Sequence, residues 1–164
     1  MKLNKLFILG FFLFTTGNVF AQQKFEVYHP DADARQQVDE AVVRAAAEHK
    51  NVFLFIGGNW CGWCRKFYKF SKEDFQIDSL MKADYIVEHI NFSKENRNLP
   101  LMQELDFPQR FGFPVFVILD EKGKRIHTQN SGYLEEGEGY SKKKVMEFLQ
   151  QWSPAALEPA QYEQ

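Results

Sequence analysis

Five consecutive apolar residues, Val52-Phe53-Leu54-Phe55-Ile56, followed at once by Gly57-Gly58-Asn59, constrain this chain more than any other segment. The run is β-branched and aromatic and does not alternate with polar residues. That composition suits a short strand buried on both faces, which needs a covering layer on each side of its sheet. The flanking segments supply candidates. Val38, Ala41, Val42, Ala45 and Ala46 recur at helical spacing between positions 33 and 49, so a helix precedes the strand. Another helix is expected from near Cys61 through Phe67 and Tyr68. Ser71 and Asp74 resemble a capping box for a segment reaching Leu80 and Met81.

Further along, residues 85–92 read as a strand and 93–98 as a polar loop, with a short helix over 100–105. Pro114 opens a strand, Val115-Phe116-Val117-Ile118-Leu119, where its missing N–H is tolerated. Asp120-Glu121-Lys122-Gly123 turns the chain into residues 124–129 and completes a hairpin. The acidic stretch 132–139 reads as a solvated loop. Ser141 is a good N-cap for a helix presenting Val145, Phe148, Leu149 and Trp152 on one face. Upstream, Phe25-Glu26-Val27-Tyr28 alternates like a short edge strand. The order predicts an α/β fold: a mixed central β-sheet flanked by helices on both faces. Phe53, Phe55, Phe67, Phe75, Phe111 and Phe116 are assigned mostly to its core.

Residues 1–21 have another character. Lys2 and Lys5 precede the apolar run Leu6-Phe7-Ile8-Leu9-Gly10-Phe11-Phe12-Leu13-Phe14, and Val19-Phe20-Ala21 closes the segment. A charged start, a short apolar middle and small-enough residues before a cut form a secretory signal pattern. The apolar run is well below the ~20 residues that a spanning helix needs. Cleavage after Ala21 is expected, giving a periplasmic or secreted protein with no stable membrane insertion, a domain over 22–153 and a flexible tail over 154–164. Lys plus Arg total 20 against 22 acids, so no basic footprint for nucleic acid is present. With 45% hydrophobic residues the chain is no disordered polymer, and at this length it can bury a core without staples.

Two cysteines are too few for a disulfide scaffold, and both lie in Trp60-Cys61-Gly62-Trp63-Cys64, where the central strand meets its helix. Three residues apart on a first helical turn, the sulfurs can face one another and close a disulfide. Cys61 falls at the helix N-terminus, where free N–H groups and the dipole favour a thiolate, and Arg65 and Lys66 add positive charge within a turn. Cys64, one turn inward, is the more buried thiol and the natural resolving group. Lowering the Cys61 pKa from about 8.5 to about 7 raises its thiolate fraction at neutral pH from about 3% to about 50%. Nucleophilicity falls in partial compensation, and the sulfur becomes a better leaving group. Trp60 and Trp63 beside the cysteines form an apolar rim for unfolded or peptide substrates.

This motif, together with Gly112-Phe113-Pro114 before the hairpin, resembles the thioredoxin superfamily, and within it the secreted thioredoxin-like proteins related to C-terminal domains of periplasmic thiol reductases. The resemblance spans residues 25–152. It implies a thioredoxin fold and a thiol–disulfide oxidoreductase that needs no cofactor beyond its dithiol. It also implies a nucleophilic Cys61, a resolving Cys64, and a cis Pro114 packed against the sulfurs. Trp60, Gly62, Trp63, Phe113 and Pro114 then form the substrate-binding set. Partners are protein thiols or disulfides and an unidentified redox protein. Two positions depart from the family pattern. Phe55 stands where a buried acid is usual, six residues before the first cysteine, and His89 corresponds to the usual lysine of the third strand. His89 or Glu88, on opposite faces of their strand, is left as proton acceptor. Gly62-Trp63 matches neither the common reductase nor the common oxidase dipeptide, so direction is not legible, although a reductase or isomerase is favoured over a strong oxidant. The alternative function is a redox-inert binding module using Trp60, Trp63 and Phe113. A weaker one is a metal carrier, with the dithiol completed by another chain or by His29, His49, His89 or His127. No histidine pair has ligand spacing, so no metal site is assigned.

Overall fold

The computed structural model describes residues 25–163; the expected signal segment, residues 1–21, lies outside them. The central apolar run becomes β1 (Asn51–Gly57), buried at every position. It pairs in parallel with β2 (Tyr85–Asn91) and antiparallel with β3 (Val115–Leu119), which pairs antiparallel with β4 (Arg125–Asn130). The resulting sheet has the order β2-β1-β3-β4.

Alternation along β1 explains why the run carries no polar residue. Val52, Leu54 and Ile56 pack on one face against α1 (Ala34–Glu48) and α4 (Leu99–Glu104), through Val38, Ala41, Ala45, Leu101 and Met102. Phe53 and Phe55 point to the other face, covered by α2 (Gly62–Glu73), α3 (Phe75–Asp84) and α5 (Lys142–Gln151). That second face is largely aromatic. Phe67 sits 4.4 Å from Phe116, ring centre to ring centre, and Phe53 5.1 Å from the same ring. Each such ring, fully buried, contributes about 1.5–3 kcal/mol of transfer free energy.

Asp33 caps α1 by accepting from the Arg35 and Gln36 amides. Five expectations need correction. Residues 25–28 join no sheet. Instead the Asn59 side chain accepts from the Tyr28 amide (3.1 Å) and donates to the Tyr28 carbonyl (2.8 Å), satisfying both backbone groups as a neighbouring strand would. The break between α2 and α3 falls at Asp74, whose carboxylate caps Gln76 and Ile77, while the Ser71 hydroxyl donates back to the Tyr68 carbonyl within α2. Stretch 132–139 is built rather than loose. It contains a two-residue ladder, β5 (Glu135–Glu136) with β6 (Gly139–Tyr140), and it buries Leu134 and Tyr140. Ser141 occupies the N-cap position of α5 without a side-chain cap bond. Phe75 and Phe111 are exposed, at 82% and 38%, and so stand outside the core. Beyond α5 the chain forms two single 3-10 turns, Ala155–Leu157 and Pro159–Gln161.

Candidate active site

β1 ends at Gly57, and four residues later Cys61 becomes the N-cap of α2. Cys61 and Cys64 are joined in a disulfide with their Cα atoms 5.2 Å apart. The Cys64 amide donates to Cys61 Sγ at 3.0 Å, so this sulfur already receives one of the helix's free N–H groups. Cys64 is fully buried and Cys61 retains 3% exposure. Access to the pair is therefore from the Cys61 side.

The backbone around the sulfurs is packed too tightly for side chains. A Cβ placed on Gly57 would lie 2.5 Å from Cys64 Sγ and 2.9 Å from the Tyr28 hydroxyl, well inside contact distance. Gly62, by contrast, opens onto free space.

The two tryptophans part company. Trp60 is 59% exposed and donates its indole N–H to the Phe92 carbonyl at 2.8 Å. Its ring meets Phe113 edge-on at 5.6 Å, and Phe113 lies 4.8 Å from Phe92. Those three rings make a rim on one side of the disulfide. Trp63 turns the other way, edge-on to Tyr140 at 5.6 Å with Lys66 Nζ 4.3 Å above its ring. Lys66 also donates to the Glu138 carbonyl, and the Arg65 guanidinium lies over Phe25, so both cations are engaged on the flanks. The Phe113–Pro114 peptide bond is cis, and Pro114 is buried at the entry to β3.

Register separates the two proton-acceptor candidates. His89 pairs with Phe55, which belongs to the cysteine-bearing face, and Glu88 pairs with Leu54, which faces α1. The His89 ring is 5.1 Å from Phe55, 5.6 Å from Tyr28 and 5.7 Å from Tyr68. Burial in that aromatic box pushes its imidazole down to about 4, with smaller contributions from Lys72 and His29, so it is neutral at pH 7. Glu88 accepts from Gln37 and Arg44 of α1 and is thereby held on the far side of the sheet. Its assignment as acceptor is corrected on that geometry.

Two contributors escaped sequence reasoning. Phe92 is brought to Trp60 and Phe113 only by the pairing of β2 with β1. Tyr28 is buried among Phe55, His89 and Phe25, with its hydroxyl beside Cys64. A groove of about 990 Å³ is lined by Tyr28, His29, Pro30, Trp60, Phe92 and Arg97, among others. Among the described residues no group of three or more His, Cys, Asp or Glu side chains is arranged to hold a metal ion.

A family model described as "Thioredoxin-like domain" matches residues 38–143, which include both cysteines and Pro114. The chain belongs to the thioredoxin-like family. The thioredoxin-like fold is matched in solved structures as well. The disulphide isomerase from Xylella fastidiosa Temecula1 is 30% identical with a TM-score of 0.66, the match covering 76% of this chain and 94% of that one. The oxidised C-terminal domain of DsbD from Neisseria meningitidis, 21% identical, matches in fold with a TM-score of 0.51 over 74% of this chain and 97% of that one. A comparison with curated proteins finds no match. This thioredoxin-like chain thus has a disulfide oxidoreductase fold carrying a closed Cys61–Cys64 pair.

Proposed function

We propose that the protein is an extracytoplasmic thiol–disulfide oxidoreductase that exchanges disulfides with protein substrates through Cys61-Gly62-Trp63-Cys64, acting as a reductase or isomerase rather than a strong oxidant. The observation that carries this reading is the position of the pair. A disulfide-closed pair sits at a helix N-terminus, with Cys61 keeping 3% exposure and Cys64 fully buried. In the reduced form the Cys61 thiolate, stabilised by the amide that already reaches its sulfur, attacks a substrate disulfide. A Cys61–substrate disulfide forms and one substrate thiolate leaves. Cys64 then attacks Cys61 Sγ, closing the internal disulfide and releasing the second substrate thiolate, so two electrons pass from the pair to the substrate. A redox partner protein restores the dithiol.

Trp60, Phe113 and Phe92 offer an apolar rim to an unfolded segment, and the groove beside Trp60 extends it. Gly62 leaves the approach to Cys61 open. Residues Phe113 and Pro114 present a backbone edge that an extended substrate can pair with. Of His89 and Glu88, His89 lies on the cysteine-bearing face, but burial pushes its imidazole down to about 4, so it is a weak base and the resolving thiol's proton goes to solvent. Support for the isomerase-or-reductase direction is the 30% identity to a protein described as a disulphide isomerase. Support for the location is the signal pattern of residues 1–21; among the described residues no helix is long and apolar enough to cross a membrane.

The test is the equilibrium reduction potential of the Cys61–Cys64 pair in glutathione or dithiothreitol buffers, with insulin reduction as the activity. The expected potential lies nearer the roughly −270 to −180 mV range of reductases and isomerases than the roughly −120 mV of a strong oxidant. A pair that cannot be opened, or that opens without any turnover of insulin, contradicts the enzyme reading.

A further inference from the structure

The resolving cysteine needs help that this sequence does not supply in the usual place. Cys64 has no measurable exposure, Phe55 stands where the family carries an acid, and a buried thiol resists ionisation. Something must stabilise the Cys64 thiolate while it attacks. Among the titratable side chains of the same core face, two buried tyrosines are already committed: Tyr85 donates its hydroxyl to the Leu149 carbonyl at 2.5 Å, and Tyr140 donates to the Trp63 carbonyl at 3.5 Å. His89 is boxed by Phe55, Tyr28 and Tyr68, with Lys72 and His29 acting on it from its margins.

Tyr28 differs. It is 1% exposed, yet its buried hydroxyl has no hydrogen-bond partner. A buried hydroxyl without a partner is costly and rare, so it calls for an explanation. The hydroxyl is not remote from chemistry: the point a Gly57 Cβ would occupy lies 2.9 Å from Tyr28 Oη and 2.5 Å from Cys64 Sγ. The ring is fixed by Phe55 at 5.8 Å and His89 at 5.6 Å, and its backbone is clamped by Asn59, two residues before Cys61.

We infer that Tyr28 is a catalytic hydrogen-bond donor to Cys64, idle in the disulfide and engaged when the sulfur becomes a thiolate. This deepens the oxidoreductase reading and rests on it. Burial holds the phenol well above its ordinary pKa, so it keeps its own proton and acts as a donor rather than a base. In the resolving step the Cys64 proton passes to solvent and Tyr28 O–H donates to the sulfur anion. Cys64 Sγ then bonds to Cys61 Sγ while the Cys61–substrate S–S bond breaks. The departing substrate thiolate carries off the electron pair and takes up a proton from solvent, so protons and electrons balance.

Tyr28→Phe removes the oxygen and leaves the ring. Rapid mixing of the reduced enzyme with a small aromatic disulfide separates attack by Cys61 from resolution by Cys64. A hydrogen bond to a charged sulfur implies a fall in the resolution rate of about tenfold or more relative to attack, with mixed disulfide building up. The pH profile of Cys64 alkylation in Cys61→Ser supplies the second readout, and Tyr28→Phe should move its midpoint upward by about one pH unit. Equal resolution rates, or an unmoved Cys64 profile, would overturn the role of Tyr28, including when the variant merely loses stability. Absence of disulfide exchange in the wild type would instead overturn the oxidoreductase reading beneath it.

Discussion

Gly57→Ala probes the close approach of β1 to the buried sulfur of Cys64. The added methyl would sit 2.5 Å from Cys64 Sγ and 2.9 Å from the Tyr28 hydroxyl, whereas carbon needs about 3.5–4.0 Å for a favourable contact. Neither neighbour yields easily. Cys64 is fully buried and tied to Cys61, and Tyr28 is wedged against Phe55, His89 and Phe25 while Asn59 holds its backbone. Relief therefore requires a shift of β1 or of the α2 N-terminus. Overpacking of this kind costs about 1–3 kcal/mol, and the rigidity on both sides argues for the upper half of that range. With a urea slope of about 2 kcal/mol/M, the unfolding midpoint of the oxidised protein should fall by about 1 M. Gly62→Ala, whose Cβ meets nothing within 4 Å, is the control and should shift the midpoint little. Equal midpoints for Gly57→Ala and wild type would refute the close packing of Cys64 against β1.

Other expectations follow from the same geometry. Asn59→Ala removes two hydrogen bonds to Tyr28 and should destabilise the fold by about 1–3 kcal/mol, with faster amide exchange at Tyr28; unchanged exchange there would show that residues 25–28 are held by packing alone. A His89 held neutral down to about pH 4 means that the unfolded chain binds its proton first, near pH 6.5. Its contribution is thus fully present above pH 6.5 and is lost as pH falls toward 4, by up to about 3 kcal/mol, and urea midpoints of His89→Phe should drop less over that window than those of wild type. Reduction should change tryptophan emission through Trp60 and Trp63 beside the disulfide, and the change should vanish in Cys61→Ser; an unaltered spectrum alongside two newly titrated thiols would contradict the proximity. Intact mass of protein exported by its native host should begin at Gln22, and retention of residues 1–21 would refute cleavage.

Features legible in the sequence are those whose cause is local. An apolar pentapeptide too short for a helix and unbroken by polar residues became the central strand. The spacing of Val38, Ala41 and Ala45 became the buried stripe of α1, and Cys61 took the helix N-cap that its position implied. Misread segments have causes that lie far along the chain. The alternation in residues 25–28 is real, but the partner satisfying Tyr28 is a side-chain amide thirty-one positions away, which no local pattern reveals. Alternation in β2 said that Glu88 and His89 face opposite ways; only the register of β2 on β1 decided which of them shares a face with Phe55. Phe92 and Tyr28 likewise enter the site through tertiary pairing, and both look like ordinary core residues in sequence. The tryptophan pair is similar: Trp60 meets Phe113 while the turn of α2 brings Trp63 to Tyr140, contacts that their places in the motif do not reveal.

The most direct test of the central claim is covalent trapping with protein substrates. Cys61 is the sulfur with residual exposure at the head of α2, and Cys64 is sealed beneath it. Cys64→Ser keeps the attacking sulfur and removes the resolver, so it should accumulate reductant-sensitive adducts with a disulfide-scrambled substrate such as ribonuclease. Cys61→Ser should trap almost none. Equal trapping by the two variants would reverse the assignment of nucleophile and resolver, and substrate capture that reductant does not release from either would contradict a disulfide-exchange enzyme.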